Sequence, residues 1–217
     1  MLQSASPAGA PGLLSREEAR SLADRVLSFA KGVDQARVNI TSEWSGNTRF
    51  ADASITTSGG VTNTSVTVVV TIGRRRASSA TNLLDDASLK RTVELAATLA
   101  KLSPEDPELM PELGPQNYGT VSAFVDRTAS LDPEMRSGAV NRAIEAATAA
   151  GKPAGQIFSA GFLEANARAV AVATSNDLFA YHRTTYADFS VTARTPDGTG
   201  SGWASGGSRD WGRIDPA

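Results

Sequence analysis

The first stretch with a clear period follows Ser15. Ser15-Arg16-Glu17-Glu18 has the S-x-x-E form in which a serine hydroxyl and a glutamate carboxylate cap the first turn reciprocally. Leu22, Val26 and Phe29 then recur at helical spacing, and Lys31-Gly32 offers a basic end and a C-cap. The pattern predicts a helix over 16–30. From Ala36 the period falls to two, with Val38 and Ile40 alternating with polar neighbours, as in a half-buried strand. Ser45-Gly46-Asn47 reads as a turn, RFADASI as a second strand and Gly59-Gly60 as another turn. The β-branched run VTNTSVTVVVTI is the strongest strand signal, and GRRRASSATN reads as a fourth strand. Residues 36–81 are thus expected to form an antiparallel β-meander.

Helical spacing returns after Asp85 or Asp86. Leu89, Val93, Ala96, Ala97 and Ala100 mark one face, which Leu95, Leu99 and Leu102 broaden. SPEDPELMPELGP holds four prolines and cannot continue a helix, so 103–119 is expected to be an extended surface connector. Asp132-Pro133-Glu134 is an N-cap followed by proline at the first helical position; Val140, Ile144 and Ala147 carry a third helix to Gly151-Lys152-Pro153. The last third is again strand-like. QIFSAGFLEAN and RAVAVATSN read as a hairpin around Asn166-Ala167. LFAYHRTTYADFSVTAR reads as a long strand, 196–200 as a turn and SGWASGGS as the return. The expected class is α+β: antiparallel or mixed sheets with about three helices packed on them, built from the 36–81 meander, an 86–151 helical part and 155–207 hairpins.

Composition narrows the function classes. The 217 residues are 41% hydrophobic and 20% charged, enough for a core without disulfide or metal. Residues 1–12 read as a disordered leader without the basic-then-apolar form of a secretory signal, and 13–217 as one domain. The longest apolar run, VTVVVTI, is too short to span a bilayer, so no membrane association is expected. With 21 basic and 23 acidic residues the net charge is −2, which supplies no general affinity for nucleic acid. The absence of cysteine excludes disulfides, thiolate zinc sites and cysteine nucleophiles, and suits a cytoplasmic location.

Motifs for self-contained chemistry are missing. One histidine, His182, cannot make HExxH, and it sits in a strand pattern where hydrogen bonding on a sheet face is the simpler role. G-x-S-x-G is absent, and GWASGG has its serine displaced. There is no phosphate-binding G-x-x-x-x-G-K-[ST], and DGTGSG precedes no helix, so a glycine turn explains it. Arg74-Arg75-Arg76 suits either an anionic ligand or a solvated turn that discourages edge pairing. Phe179, Tyr181, Tyr186 and Phe189 suit either core packing or a peptide groove; by period two, Phe179 and Tyr181 share a face and Tyr186 lies on the other. Free sheet edges are a further route by which an extended peptide binds.

Several stretches, in order, carry a resemblance: the leading helix, Thr48-Arg49-Phe50-Ala51, VTVVVTIGRR, the helix VELAATLAKLSPEDP with its proline-rich connector, the third helix, SAGFLEAN, and SNDLFAYHRTTYADFSVTARTPDGTGSG. Over about 14–205 the chain resembles the N-terminal half of the TldD/PmbA family, which includes TldE and carries the older label of DNA gyrase modulator. The resemblance implies a zinc metallopeptidase system in which an HExxxH helix and a cysteine hold the metal, and in which paired subunits enclose a chamber for unfolded peptide. Those ligands are not in these residues, so no catalytic or metal residue is assigned. Zinc is expected in a C-terminal metallopeptidase-type domain absent from this chain, which then reads as truncated or as a separately encoded half, inactive alone. The implied role is to shape the peptide chamber and the subunit interface, with a TldD/PmbA-type partner in a homo- or heterodimer. The alternatives are a non-catalytic PmbA/TldE-like adaptor and a gyrase-associated regulator. Matching positions Arg49, Phe50, Asn176, Arg183 and Thr184 are the candidates for contact with peptide or partner.

Overall fold

The computed structural model describes residues 12–217; the expected leader lies, Gly12 apart, outside the described residues. Helix α1 (Arg16–Phe29) opens with the expected reciprocal cap: Glu18 N donates to Ser15 Oγ at 3.1 Å, and Ser15 N donates to Glu18 Oε2 at 2.7 Å. It closes at Ala30 without a basic last turn, and the chain then reverses through Gly32 at φ +90°.

Strand β1 (Gln35–Ala51) runs unbroken through Gly46, where a turn was expected. Its partner β2 (Ser54–Ile72) likewise runs through Gly59-Gly60. In the β1–β2 register Gly46 faces Gly60 and Asn47 faces Gly59, so these glycines sit inside the ladder. The reversal is made by Asp52 and Ala53, both at positive φ (49° and 58°), a two-residue hairpin turn. A bulge follows, where Arg49 pairs with Thr57 but Phe50 with Ile55. Strand β3 (Arg75–Thr81) pairs with Val66–Ile72 of β2. The meander therefore has three strands rather than four.

Helix α2 (Asp86–Leu102) is capped by Asp85, whose carboxylate accepts from Ser88 N; that bond, first, holds its pKa below the usual carboxylate value. Leu89, Val93, Ala96 and Ala100 are buried, whereas Leu95, Leu99 and Leu102 face solvent instead of broadening the core face. A connector without regular structure reaches a single turn, α3 (Asp126–Ala129), and then α4 (Pro133–Gly151), capped by Asp132.

Strand β4 (Phe158–Thr174) passes straight through Asn166-Ala167, the expected hairpin turn; the reversal to β5 (Phe179–Arg194) comes at 175–178, with Asp177 at φ 63°. Strand β6 (Ser201–Ser208) returns along Ala187–Arg194 only. All the strands join one antiparallel six-stranded sheet in the order β3-β2-β1-β4-β5-β6. The class is α+β as expected, with one sheet in place of several.

Every helix lies on one face of that sheet. Even-numbered β1 positions Ala36, Val38, Ile40 and Phe50 and odd-numbered β4 positions Leu163 to Ala173 point into it. Helices α1 and α2 cover a cluster built on Val38, Ile40, Val66, Val68 and Val70. Helix α4 covers a second one, built on Phe50, Leu163, Ala165, Phe189 and Trp211. Between them Ala129 meets Ala167, flanked by Trp44 and Phe124. The alanines at 165, 167, 169, 171 and 173 are all buried, and their short side chains let the covering segments approach the middle of the sheet.

Candidate functional site

Because alternate residues of a strand point to opposite faces, burying the even positions of β1 leaves the odd ones on the other side. That second face carries Asn39, Thr41, Glu43, Ser45, Asn47 and Arg49 from β1, Glu164, Asn166 and Arg168 from β4, and His182, Thr184, Tyr186 and Asp188 from β5. No helix covers it. Directly opposed residues interact: Arg168 Nε lies 3.8 Å from Glu43 Oε2, and the Arg49 guanidinium lies 5.6 Å from the Phe162 ring centre. A shallow depression of about 150 Å³ lies between Thr41, Glu43 and Ser45 of β1 and Val61, Asn63 and Ser65 of β2. Trp203, 70% exposed, extends the face at β6.

One end of this face is closed by the connector. Glu112, nearly buried, sits between Arg37 (Nη1 to Oε2, 3.3 Å) and Arg76 (Nη2 to Oε1, 3.1 Å). The Arg76 contact is out of line for a hydrogen bond, so Oε1 is held by charge alone. Glu112 N donates to Gln35 Oε1 at 2.9 Å, and Asn176 Nδ2 donates to Glu112 O at 2.7 Å. The arginine run serves the same closure. Arg74 donates to the Asp106 and Pro107 carbonyls, Arg75 to the Lys101 carbonyl and Arg76 to the Met110 carbonyl. Arg74 and Arg76 thus staple the connector beside the start of β3, and Arg75 ties down the end of α2 and, through Glu105 Oε1, the connector.

The candidate contact residues are not gathered in one place. Arg49 and Thr184 lie on the open face, but their levels on β4, Phe162 and Arg168, are six residues and roughly 20 Å apart. Phe50 is 1% exposed in the second cluster, 6.3 Å from the Phe189 ring, so its role here is packing and it offers no surface to a peptide. Asn176 pins the connector. Arg183 is on the helix side, its guanidinium 3.5 Å from the centre of the Phe124 ring. Sequence reasoning missed Arg136, which is 1% exposed on α4. It donates to Thr48 Oγ1, the Leu131 carbonyl and the Gly59 carbonyl, tying the far half of the β1–β2 hairpin to α4. Burial lowers its pKa, with the Asp132 charge opposing. An arginine four residues after a helix N-cap looks like a surface residue, so no signal in the sequence marked it.

His182 makes no hydrogen bond to a serine or threonine hydroxyl among the described residues, and none of them form a group of three or more His, Cys, Asp or Glu fit to hold a metal. The residues present do not fit a zinc site, and no zinc-dependent step is derived for them. The open face can offer donors and acceptors of both signs to an extended chain.

Residues 127–217 match the family described as the PmbA/TldA metallopeptidase central domain. These residues are thus similar to one domain of the PmbA/TldD family. The PmbA/TldD-type segment begins at α3, yet its β4 pairs with β1 from Arg37 to Ala51, so one sheet unites it with the preceding residues. The whole described fold is shared with solved structures. TldE from Thermococcus kodakarensis is 15% identical with a TM-score of 0.72, over 88% of this chain and 43% of that one. A candidate modulator of a DNA gyrase from Thermotoga maritima is 15% identical with a TM-score of 0.73, over 91% and 45%. A candidate modulator of DNA gyrase from Bacteroides thetaiotaomicron is 16% identical with a TM-score of 0.73, over 92% and 47%. The chain spans under half the length of each of these structures. No curated protein sequence matches it. Among the described residues no helix is long and apolar enough to cross a membrane.

Proposed function

We propose that the open face of the sheet is one wall of a peptide-holding chamber in a PmbA/TldD metallopeptidase-type protein, and that proteolytic chemistry is carried by residues other than those of this chain. The observation that supports this reading is the division of labour across the sheet. The buried apolar clusters lie on the helix side, while β1, β4 and β5 present Asn, Thr, Ser, Glu and Arg on the other, interspersed with Phe162, Val170 and Val172. A face of this kind suits an unfolded peptide of varied sequence, because its hydrogen-bonding groups address peptide backbone and no deep pocket selects one side chain. The same face and the exposed Trp203 beside it are the surface on which a second PmbA/TldD-type subunit would close the chamber.

The test is photo-crosslinking. A benzophenone side chain is placed at Asn166, on the open face, or at Lys90, on the exposed side of α2, and a reduced, unfolded casein fragment is added. Adducts at position 166 and not at 90 are expected. Equal labelling at the two positions, or none at 166, overturns the proposal.

A further inference from the structure

Strand β5 has an edge that β6 does not cover. Pairing with β6 begins at Ala187, opposite Ser208, which leaves Phe179–Tyr186 without a strand partner on that side among the described residues. One contact fixes the orientation of this edge: Thr185 N donates to the Ala123 carbonyl at 3.0 Å. The amide and carbonyl of Thr185 therefore point away from β4. Backbone groups of alternate residues on a strand point the same way, so those of Phe179, Tyr181 and Arg183 point outward too. The β4–β5 register runs without a shift through these positions, which preserves that parity.

A groove of about 500 Å³ lies along this edge, with Gln116 to Val121 of the connector as its second wall. Its floor and ends are basic and aromatic: Arg16, His182 and Arg183 with Tyr118, Phe124 and Phe179. No carboxylate lines it. Charged side chains on exposed edges commonly stand across the edge and block pairing. Here Arg183 is laid down on Phe124, and Arg16 on Phe179 at 5.2 Å, so both guanidiniums border the edge without crossing it. Neither arginine makes an ion pair among the described residues, whereas neighbouring Arg20 is engaged by Asp24 at 3.0 Å. Glu18 nearby is held in the cap of α1, and Glu17 lines the adjoining depression with Arg20 and Phe179; neither lines the groove, although both charges reach Tyr181.

We infer that this edge takes an extended acidic peptide as an added strand, with backbone bonds made to Tyr181 and Arg183 and carboxylates received by Arg16 and Arg183. The stretch Phe179–Arg183, half-buried but without a strand partner on this edge, is roughly 17 Å long, enough for about five residues in strand conformation. The groove lies at the strand edge beside the connector and not on the open face, so this proposal does not depend on the chamber wall.

The experiment is fluorescence anisotropy on the intact protein with a labelled peptide of alternating Glu and Val. The comparison probes are the Lys–Val peptide and a Glu–Val peptide with proline at alternate positions, which lacks strand amides. Binding of Glu–Val alone is expected, weakened about tenfold by Arg16→Glu, a residue at the start of α1 where a carboxylate also suits the helix dipole. Lys90→Glu, on the far side of α2, is expected to leave it unchanged. Binding that survives proline substitution overturns strand addition in favour of a simple anionic patch. Equal binding of Lys–Val, or indifference to Arg16→Glu, overturns the proposal outright. Crosslinking at Asn166 is read separately, so either proposal can fail alone.

Discussion

Strand β4 shows its two sides in consecutive residues. Toward the helices it presents Leu163, Ala165, Ala167, Ala169, Ala171 and Ala173, all buried; toward the open side it presents Glu164, Asn166 and Arg168. The same backbone serves packing on one side and recognition on the other. On the covered side, side-chain volume is fixed by the segments above, so leucine at 163 and alanine from 165 to 173 follow from the space available. On the open side nothing constrains volume, and the directly opposed pairs Glu43–Arg168 and Arg49–Phe162 are what order the surface.

The sharpest break of that contrast is a pair of truncations. Leu163→Ala, on the covered side, is expected to cost about 3 kcal/mol in chemical denaturation, since a fully buried leucine leaves a cavity. Thr184→Ala on the open side is expected to stay within about 0.5 kcal/mol. Comparable losses at the two positions would mean that the open face is packed in solution.

Arg136 tests whether a charge is needed beneath α4. Arg136→Ala leaves the Gly59 and Leu131 carbonyls and the Thr48 hydroxyl short of a donor, with an expected cost of about 2–3 kcal/mol. Arg136→Met fills most of the volume without a buried charge and is expected to recover roughly half of that loss. If methionine is as damaging as alanine, the hydrogen bonds and not the volume hold the hairpin to α4.

Glu112→Gln, at the closed end of the open face, keeps the shape but removes the charge between Arg37 and Arg76. A loss of about 1 kcal/mol is expected, together with faster proteolysis of the connector at residues 103–119. Unchanged proteolysis would show that the arginine bonds to carbonyls suffice. At the hairpin tip Ala53 sits at φ 58°, and Ala53→Gly is expected to raise stability by about 0.5–1 kcal/mol, read as a rise in the denaturant midpoint.

The mildest effect is one of pH. Tyr181 donates to the Leu14 carbonyl at 2.8 Å, and burial first, with Glu17 and Glu18 adding, outweighs Arg183 and Arg16 and raises its pKa above 10.0. The neutral phenol is thus favoured in the folded state. Its contribution is fully present below the unfolded value and is lost as pH rises through the folded one. Phenolate absorbance of Tyr181 is expected to appear above the ordinary tyrosine range, and Tyr181→Phe is expected to remove that late transition.

How far the sequence could be read follows from the range of each signal. The cap at Ser15, the Asp85 and Asp132 caps, the helix spacing of Leu89 to Ala100 and the alternation in β1 are local, and each appears where the residues place it. The β-branched run and the long β5 strand are equally direct. Glycine misled. Gly46, Gly59 and Gly60 suggest turns by their freedom, but in the sheet they face one another across a ladder that leaves them extended. The reversal fell instead on Asp52-Ala53, where a two-residue turn with the hand of the strand twist was required.

The sequence by itself determined the three main helices with their caps, the strand character of 36–81 and 155–207, and the apolar side of β1. Only the tertiary structure decided that β1 and β4 meet and merge the strands into one sheet, that all helices fall on one side of it, and that β6 stops short of half of β5. It also decided the burial of Arg136, the stapling of the connector by the arginine run, and the scattering of Arg49, Phe50, Asn176, Arg183 and Thr184 to different surroundings. The physical reason is separation along the chain. Propensity and period are properties of neighbours, whereas the open face is made by β1 and β4 residues more than a hundred positions apart, joined by pairings that no local pattern encodes.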